Sequence, residues 1–488
     1  MVAAGPPTEV DVLVVGAGLS GIGAAYHLQT LCPDRSYLIL ESRAAIGGTW
    51  DLFRYPGVRS DSDMYTLGYR FEPWTGKKAL ADGASILRYI RDVAAKHGID
   101  RRMRFSHRVQ AADWSSEDAC WTVTAERTDT GDLLRFQCKW LHMAAGYYDY
   151  AAGHLPDFPG RERFGGPVIH PQFWPGDLDY AGKRMVVIGS GATAVTLVPA
   201  LAERASHVTM LQRSPTYIMS LPARDRIAHA LRRLVGDRRA YALVRWKNVL
   251  LQMLMFNAAR RWPEAVKRNI VKTVRKELGP DYDVATHFTP NYKPWDQRLC
   301  LVPDSDLFAA MREDRAAVAT GHIATLTEAG IRLRDGTEIP ADIIIAATGL
   351  RIQLLGGAEV TLDGQPQDFS KALLYKGMMF SDVPNLSISF GYTNASWTLK
   401  ADLIAAYLCR ILNRMARKGC GTAVARRGPG VEEVPFVDFT SGYVERARAI
   451  LPKQGSRAPW RLHQNYALDT AAVRLGRIED GVLHLERC

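Results

Sequence analysis

The sequence predicts an α/β chain in which a strand–glycine turn–helix–strand unit occurs twice, the second copy being interrupted by a helical insertion. Three observations predict this. A glycine turn closes the apolar run Val10–Val15, a second closes Arg184–Ile188, and over roughly residues 221–295 strand patterning gives way to helical periodicity. With 488 residues, 47% hydrophobic and 23% charged, the chain has ordinary globular composition, which excludes disorder, collagen-like repeats and a coiled-coil rod. Length allows about three domains. The formal charge of +11 leaves nucleic acid, acidic lipid and phosphorylated ligands open as partners. Cys32, Cys120, Cys138, Cys300, Cys409, Cys420 and Cys488 are scattered and form no C-x-x-C pair. Scattered thiols in odd number fit a reduced cytoplasmic protein and argue against a disulfide scaffold, a zinc site or a dithiol relay. MVAAGPPTEV lacks the basic start of a secretory signal, and the densest apolar run, Val249–Phe256, is far shorter than the ~20 residues a bilayer span needs.

The first unit begins with Val10–Val15, apolar and rich in β-branched residues, as a strand buried on both faces should be. It enters Gly16-Ala17-Gly18-Leu19-Ser20-Gly21, and a helical pattern follows through Ile22, Ala25 and Leu28. Gly16, Gly18 and Gly21 permit a tight turn, close backbone approach to a pyrophosphate and close helix–strand packing. The helix then offers free N–H groups to phosphate. A second strand, Tyr37–Leu40, ends at Glu41, placed to accept both hydroxyls of a ribose. The second unit runs from Arg184–Ile188 through Gly189-Ser190-Gly191-Ala192-Thr193-Ala194 into helix Val195–Glu203 and strand His207–Leu211. It ends at Gln212-Arg213-Ser214, with no acid. Arg213 and Ser214 would attract a 2′-phosphate that a carboxylate would repel, which points to NADPH; a solvated strand-end cation is the alternative for Arg213. Two dinucleotide sites on one chain imply FAD reduced by NADPH. Glycine turns at Met143–Gly146 and Ile344–Gly349 suit the places where the chain crosses between the two units.

Between the units lies Phe164-x-Gly166-x-x-x-His170-x-x-x-Trp174-Pro175, a string this composition gives by chance only ~4 × 10⁻⁵ times. Gly48, Trp50, Tyr55, Pro56, Gly57 and Asp61 form a second pattern, G-x-W-x-x-x-x-Y-P-G-x-x-x-D. With these motifs the sequence resembles the Baeyer–Villiger branch of the class B flavin monooxygenases. Stretches 52–71, 186–202, 294–303, 375–385 and 391–403 look like its ethionamide monooxygenase subgroup.

The resemblance implies that reduced FAD binds O₂ as an anionic C4a-peroxyflavin, which attacks ketones to give esters or lactones, with sulfide and thioamide S-oxidation as a second activity. An anion in a water-poor pocket needs a nearby cation that stays charged. By resemblance that cation is Arg298, oriented by Asp61. Further implied contacts are Thr49, Trp50 and Asp51 against the flavin, Ser20 at the FAD phosphates, Val109 (in a strand Phe105–Val109) at the adenine end, and Arg59, Ser60 and Asp61 near the nicotinamide. From spacing alone Arg298 is equally a surface cation and Asp61 a turn or helix cap. His170, beside Pro171 in the interdomain connection, suits packing or hinge work better than general-base catalysis.

In the insertion, Arg224–Lys276 holds 15 Lys+Arg against Asp225, Asp237 and Glu264. Leu243, Trp246, Leu250, Met253 and Leu254 mark one apolar side, with Arg245, Lys247, Asn248 and Gln252 elsewhere. A basic amphipathic helix can lie on acidic lipid, giving a peripheral membrane contact. The preferred alternative is a subdomain that packs its apolar side on the core and solvates its charges. Nucleic acid is excluded, since no nucleic-acid-binding signature accompanies the charge. Beyond residue 349, Ser387–Phe390 reads as a strand and Leu399–Met415 as a helix, while Arg417–Val431 and Leu451–Pro459 read as loops and surface tail.

The expected organisation is an FAD domain, 1–150 and 350–488, with an NADPH domain, 151–220 and 296–349, carrying the insertion 221–295. The substrate is a small ketone or sulfur compound, with O₂. Two other activities compete: N- or S-oxygenation by a related flavin monooxygenase, and NADPH-dependent flavin reduction without oxygenation. Disulfide reductases are excluded by the missing cysteine pair.

Overall fold

The computed structural model describes residues 6–297, 299–437 and 440–487; Arg298 and Cys488 lie outside them. Both repeats fold as parallel units. Thr8–Val15 pairs in parallel with Tyr37–Leu40 on one side and Leu133–Met143 on the other, and Leu386–Ile388 adds in parallel beyond. The same sheet continues through the antiparallel strands His107–Ser115, Cys120–Arg127 and Leu133–Met143. The second sheet is wholly parallel: Ala316–Thr320, His207–Gln212, Arg184–Ile188, Ile343–Ala346 and Val168–Ile169, in that spatial order. Val12, Leu13, Val14, Val186 and Val187 are fully buried, as central parallel strands require.

The turns are where glycine is needed. Gly16 has φ +108°, and a Cβ there would lie 2.6 Å from the Ala144 carbonyl oxygen; Gly189 repeats this with φ +129° and 2.4 Å to that of Ala347. Thus the crossing turns at 143–146 and 344–349 lie directly against the two nucleotide turns.

Four local expectations need correction. The strand expected from Phe105 starts at His107 and runs to Ser115, because Ser106 takes a left-handed conformation (φ 58°) that breaks the extended run. The second turn's helix spans Ala192–Leu201 rather than Val195–Glu203. Residues 417–431 are not all loop: Thr422–Ala425 is a strand paired with Leu483–Glu486, and its Ala423, Val424 and Ala425 are buried.

The fourth correction concerns the insertion, which forms helices Arg226–Val235, Asp237–Arg261, Pro263–Leu278 and Val284–Phe288. Its long helix is turned opposite to the preferred expectation. Leu243, Leu250 and Leu254 are 53%, 56% and 66% exposed, whereas Arg245 is 3% exposed. The reason is a set of partners invisible in periodicity. Tyr241 donates to the Tyr69 carbonyl (3.0 Å), Arg245 Nη1 to the Tyr65 and Gly68 carbonyls (2.7 and 2.8 Å), and Asn248 and Gln252 to the Asp63 carboxylate (2.8 and 3.1 Å). The polar stripe is therefore the inner one.

Candidate active site

The first nucleotide turn is built for an anion. Helix Leu19–Leu31 starts after Gly18 with no side-chain cap, so its first N–H groups remain available to a ligand. Gly21 lets the helix cross close to the turn, since a Cβ there would lie 1.8 Å from the Gly16 carbonyl oxygen. Glu41 is buried at the end of the next strand. It accepts from the Ala17 N–H at 2.7 Å and the Arg43 N–H at 2.9 Å. Burial holds its carboxyl above the usual range, against the lowering effect of these bonds.

A cavity of about 830 Å³ runs along this turn. It is lined by Gly16, Gly18, Ser20, Glu41, Thr49, Trp50, Arg59, Ser60, Asp61 and Val109 from the first unit, with Ala192, Thr193 and Val195 from the second. The fold thus brings together most of the residues singled out in the sequence. Gly21 packs behind the turn. Asp51 does not line the cavity: its buried carboxylate is held by Arg43 (2.7 Å), Arg54 (2.9 Å) and Arg91 (3.1 Å), a brace for the short helix Thr49–Leu52. Gly189, Ser190, Gly191 and Ala194 also stand outside the lining, around the second turn. There helix Ala192–Leu201 starts without a side-chain cap and space is open beside Gly191. Arg213 and Ser214 are exposed at the end of strand His207–Gln212, and the Ser190 hydroxyl lies 3.4 Å from the Ser214 carbonyl.

Aromatic side chains complete the lining. Trp397 donates its indole N–H to the Ser20 hydroxyl at 2.8 Å, and the Tyr147 ring stacks on it at 5.1 Å. Tyr150 lies 3.3 Å from the Thr49 hydroxyl, its own hydroxyl pushed up to about 12 by burial. The glycine turn at Gly146 is the sequence signal for Tyr147 and Tyr150, and the 391–403 stretch, a turn into a helix whose N-terminus could face the flavin ring, is the signal for Trp397. Tyr55 is likewise pushed up to about 12 by burial and hydrogen-bonds Thr193 across the two units.

His170 is committed to structure. One ring nitrogen accepts from the Gln172 N–H (3.2 Å), so the other carries the hydrogen and donates to the Gly349 carbonyl at 3.0 Å. Burial lowers its pKa, favouring that neutral form. It ties the interdomain connection to the crossing turn.

A second cavity, of about 1320 Å³, lies between the insertion and the 61–80 segment. Met219, Leu251, Met255, Trp295, Leu299 and Leu301 supply apolar walls. Asp61, Ser62, Leu301 and Ala395 line both cavities, so the two meet at Asp61. Arg298 is outside the described residues, but Trp295 and Leu299 on either side of it line the second cavity. Among the described residues no cluster of side chains is fit to hold a metal ion.

A family model described as pyridine nucleotide-disulphide oxidoreductase matches residues 13–233. The FAD-containing monooxygenase EthA of Mycobacterium tuberculosis is 56% identical over 474 residues, covering 97% of this chain and 96% of the relative. The chain belongs to the FAD-containing monooxygenases. The motif resemblance to the ethionamide monooxygenase subgroup agrees with this membership, and FAD is the cofactor in the relative's name. Solved structures carry the same fold. A steroid monooxygenase bound to NADP superposes with TM-score 0.78 at 22% identity over 99% of this chain and all of that one. OTEMO in complex with FAD and NADP gives 0.71 at 22%, covering 86% and 87%. The disulphide-oxidoreductase model describes the shared nucleotide-binding fold; the six described cysteines here are all free thiols. No helix among the described residues is long and apolar enough to cross a membrane.

Proposed function

We propose that this flavin monooxygenase inserts one oxygen atom beside a ketone carbonyl to give an ester or lactone, and oxidises sulfides and thioamides as a second activity. The observation that carries this reading is the junction at Asp61, which lines both the nucleotide cavity and the apolar cavity large enough for substrate. FAD, once reduced by NADPH, supplies the oxygen-activating chemistry. The protein's part is to bind, orient and exclude water. The Gly16–Gly21 turn and the uncapped helix hold phosphate, with Ser20 beside it. Glu41 accepts the ribose hydroxyls, and Thr49 and Trp50 border the ring system, with Val109 toward the adenine end. The Gly189–Val195 turn takes the second pyrophosphate, and exposed Arg213 and Ser214 take the 2′-phosphate. Arg59 and Ser60 lie toward the nicotinamide.

Arg298 would hold negative charge developing at the junction, and Asp61 would orient its guanidinium. A cation there favours an anionic, nucleophilic oxygen donor, which is what attack on a carbonyl requires. The test is Arg298→Ala with NADPH under air. Oxygenated product should vanish while NADPH oxidation continues and yields hydrogen peroxide. Retention of ester formation would overturn the assignment.

A further inference from the structure

The long insertion helix carries one uninterrupted outer stripe: Arg239, Leu243, Trp246, Leu250, Leu254, Asn257 and Arg261, spaced three or four residues apart. At ~1.5 Å rise per residue it runs about 33 Å along the helix. Every member is exposed, and the four at its centre are large and apolar. The opposite stripe, Tyr241, Arg245, Asn248 and Gln252, is bonded to the 63–69 segment, so the helix cannot roll its leucines inward without breaking those contacts. A contiguous exposed apolar row of this kind marks an interaction surface.

The charge around this row selects the partner. The apolar row ends in arginine on both sides, and the 224–276 region carries 15 Lys+Arg against three acids. Two of those acids are turned to cations of the insertion itself: Asp225 to Lys247 at 2.6 Å and Asp237 to Arg232 at 3.6 Å. Against a second copy of this chain, the same face would set arginines against arginines. Against an anionic lipid surface it sets arginine at headgroup level and leucine below, the arrangement of an interfacial helix lying flat. We propose that this face of helix Asp237–Arg261 docks on an anionic membrane surface. Leu251 and Ile227, half-exposed beside that face, line the second cavity, so docking brings the cavity rim next to lipid.

The experiment is co-sedimentation of the full FAD-loaded chain with phosphatidylglycerol–phosphatidylcholine vesicles and with phosphatidylcholine vesicles alone. The proposal predicts sedimentation with the mixed vesicles, little with the neutral ones, and loss as salt rises from about 0.1 M to 1 M. The triple variant Leu243→Ser/Leu250→Ser/Leu254→Ser and the double variant Arg239→Glu/Arg261→Glu should each bind at least about tenfold less, with melting temperature and NADPH oxidation unchanged. None of these side chains lines either cavity. Wild-type failure to sediment, or variants that bind as wild type, would overturn the proposal. Loss of a dimer in the leucine variant without vesicle binding would assign the face to a second copy and overturn it too.

Discussion

Arg59, in the loop after the first nucleotide unit, holds Asp306 of the second in a two-pronged ion pair and reaches the Val195 carbonyl at 3.4 Å. One partly buried contact thus fixes how the 59–61 loop meets helices Ala192–Leu201 and Asp306–Arg312. The Asp306→Asn variant should be destabilised by about 1–3 kcal/mol, because a charge left without its partner is poorly solvated there. It should raise KM for NADPH more than it lowers kcat, since the loop bearing Ser60 and Asp61 loses its anchor. Steady-state kinetics with a melting curve checks both; an unchanged KM would mean the pair serves stability alone.

Glu41 has two duties on one carboxylate, fixing the Ala17 and Arg43 N–H groups and facing the cavity. An amide keeps only one acceptor oxygen, so Glu41→Gln sets an N–H donor against another donor. FAD affinity should fall about ten- to hundredfold, the range expected from one or two charge-assisted hydrogen bonds. Flavin absorbance per protein after gel filtration measures it.

His142 gives a pH dependence. It is fully buried between Ser387 Oγ (2.8 Å) and Ser389 Oγ (3.1 Å), linking Leu133–Met143 to Leu386–Ile388. Desolvation lowers its pKa to about 4, so the folded protein keeps the ring neutral where the unfolded chain protonates it. Its contribution is therefore complete above pH about 6.5 and declines as pH falls toward 4, by roughly 3 kcal/mol in all. Urea denaturation across that window should show this slope, and His142→Gln should flatten it.

Arg245 anchors the insertion through carbonyls that no other described side chain satisfies in the same way. Arg245→Met should leave the Tyr65 and Gly68 carbonyls without a buried donor and lower stability by about 2–4 kcal/mol. Lysine should restore part of the loss, because both carbonyl bonds come from the single nitrogen Nη1 and an ammonium carries three donors on one nitrogen. Because the same helix walls the second cavity, peroxide released per NADPH should rise. Thermal melting with a peroxide assay tests both effects.

How much of this was legible in sequence depends on what each residue answers to. Gly16, Gly189 and Glu41 answer to local geometry at the end of a buried strand, where positive φ and close approach leave few alternatives, and their pattern is visible without tertiary knowledge. Ser20, Trp50 and Asp61 gained meaning from family resemblance, and the fold gathers them along one cavity. The orientation of the insertion was not legible. Periodicity divides a helix into two faces, but the face that packs is decided by partners. Here those partners are backbone carbonyls at 65–69 and the Asp63 carboxylate, about 180 residues away along the chain. Asp51 misled for a similar reason: its three arginines come from separate places, Arg43, Arg54 and Arg91. Tyr147 and Trp397, at the ends of unrelated elements, meet only because the crossing turn lies against the first nucleotide turn.

The proposed reaction delivers oxygen to a carbonyl substrate at the Asp61 junction. The most direct measurement is NADPH consumption under air with a simple aliphatic ketone, with ester and hydrogen peroxide quantified in the same reaction. Ester in near-equal amount to NADPH oxidised, with little peroxide, is the expected result. Peroxide accounting for all the NADPH, with no oxygenated product from either a ketone or a sulfide, would contradict it and leave a flavin reductase.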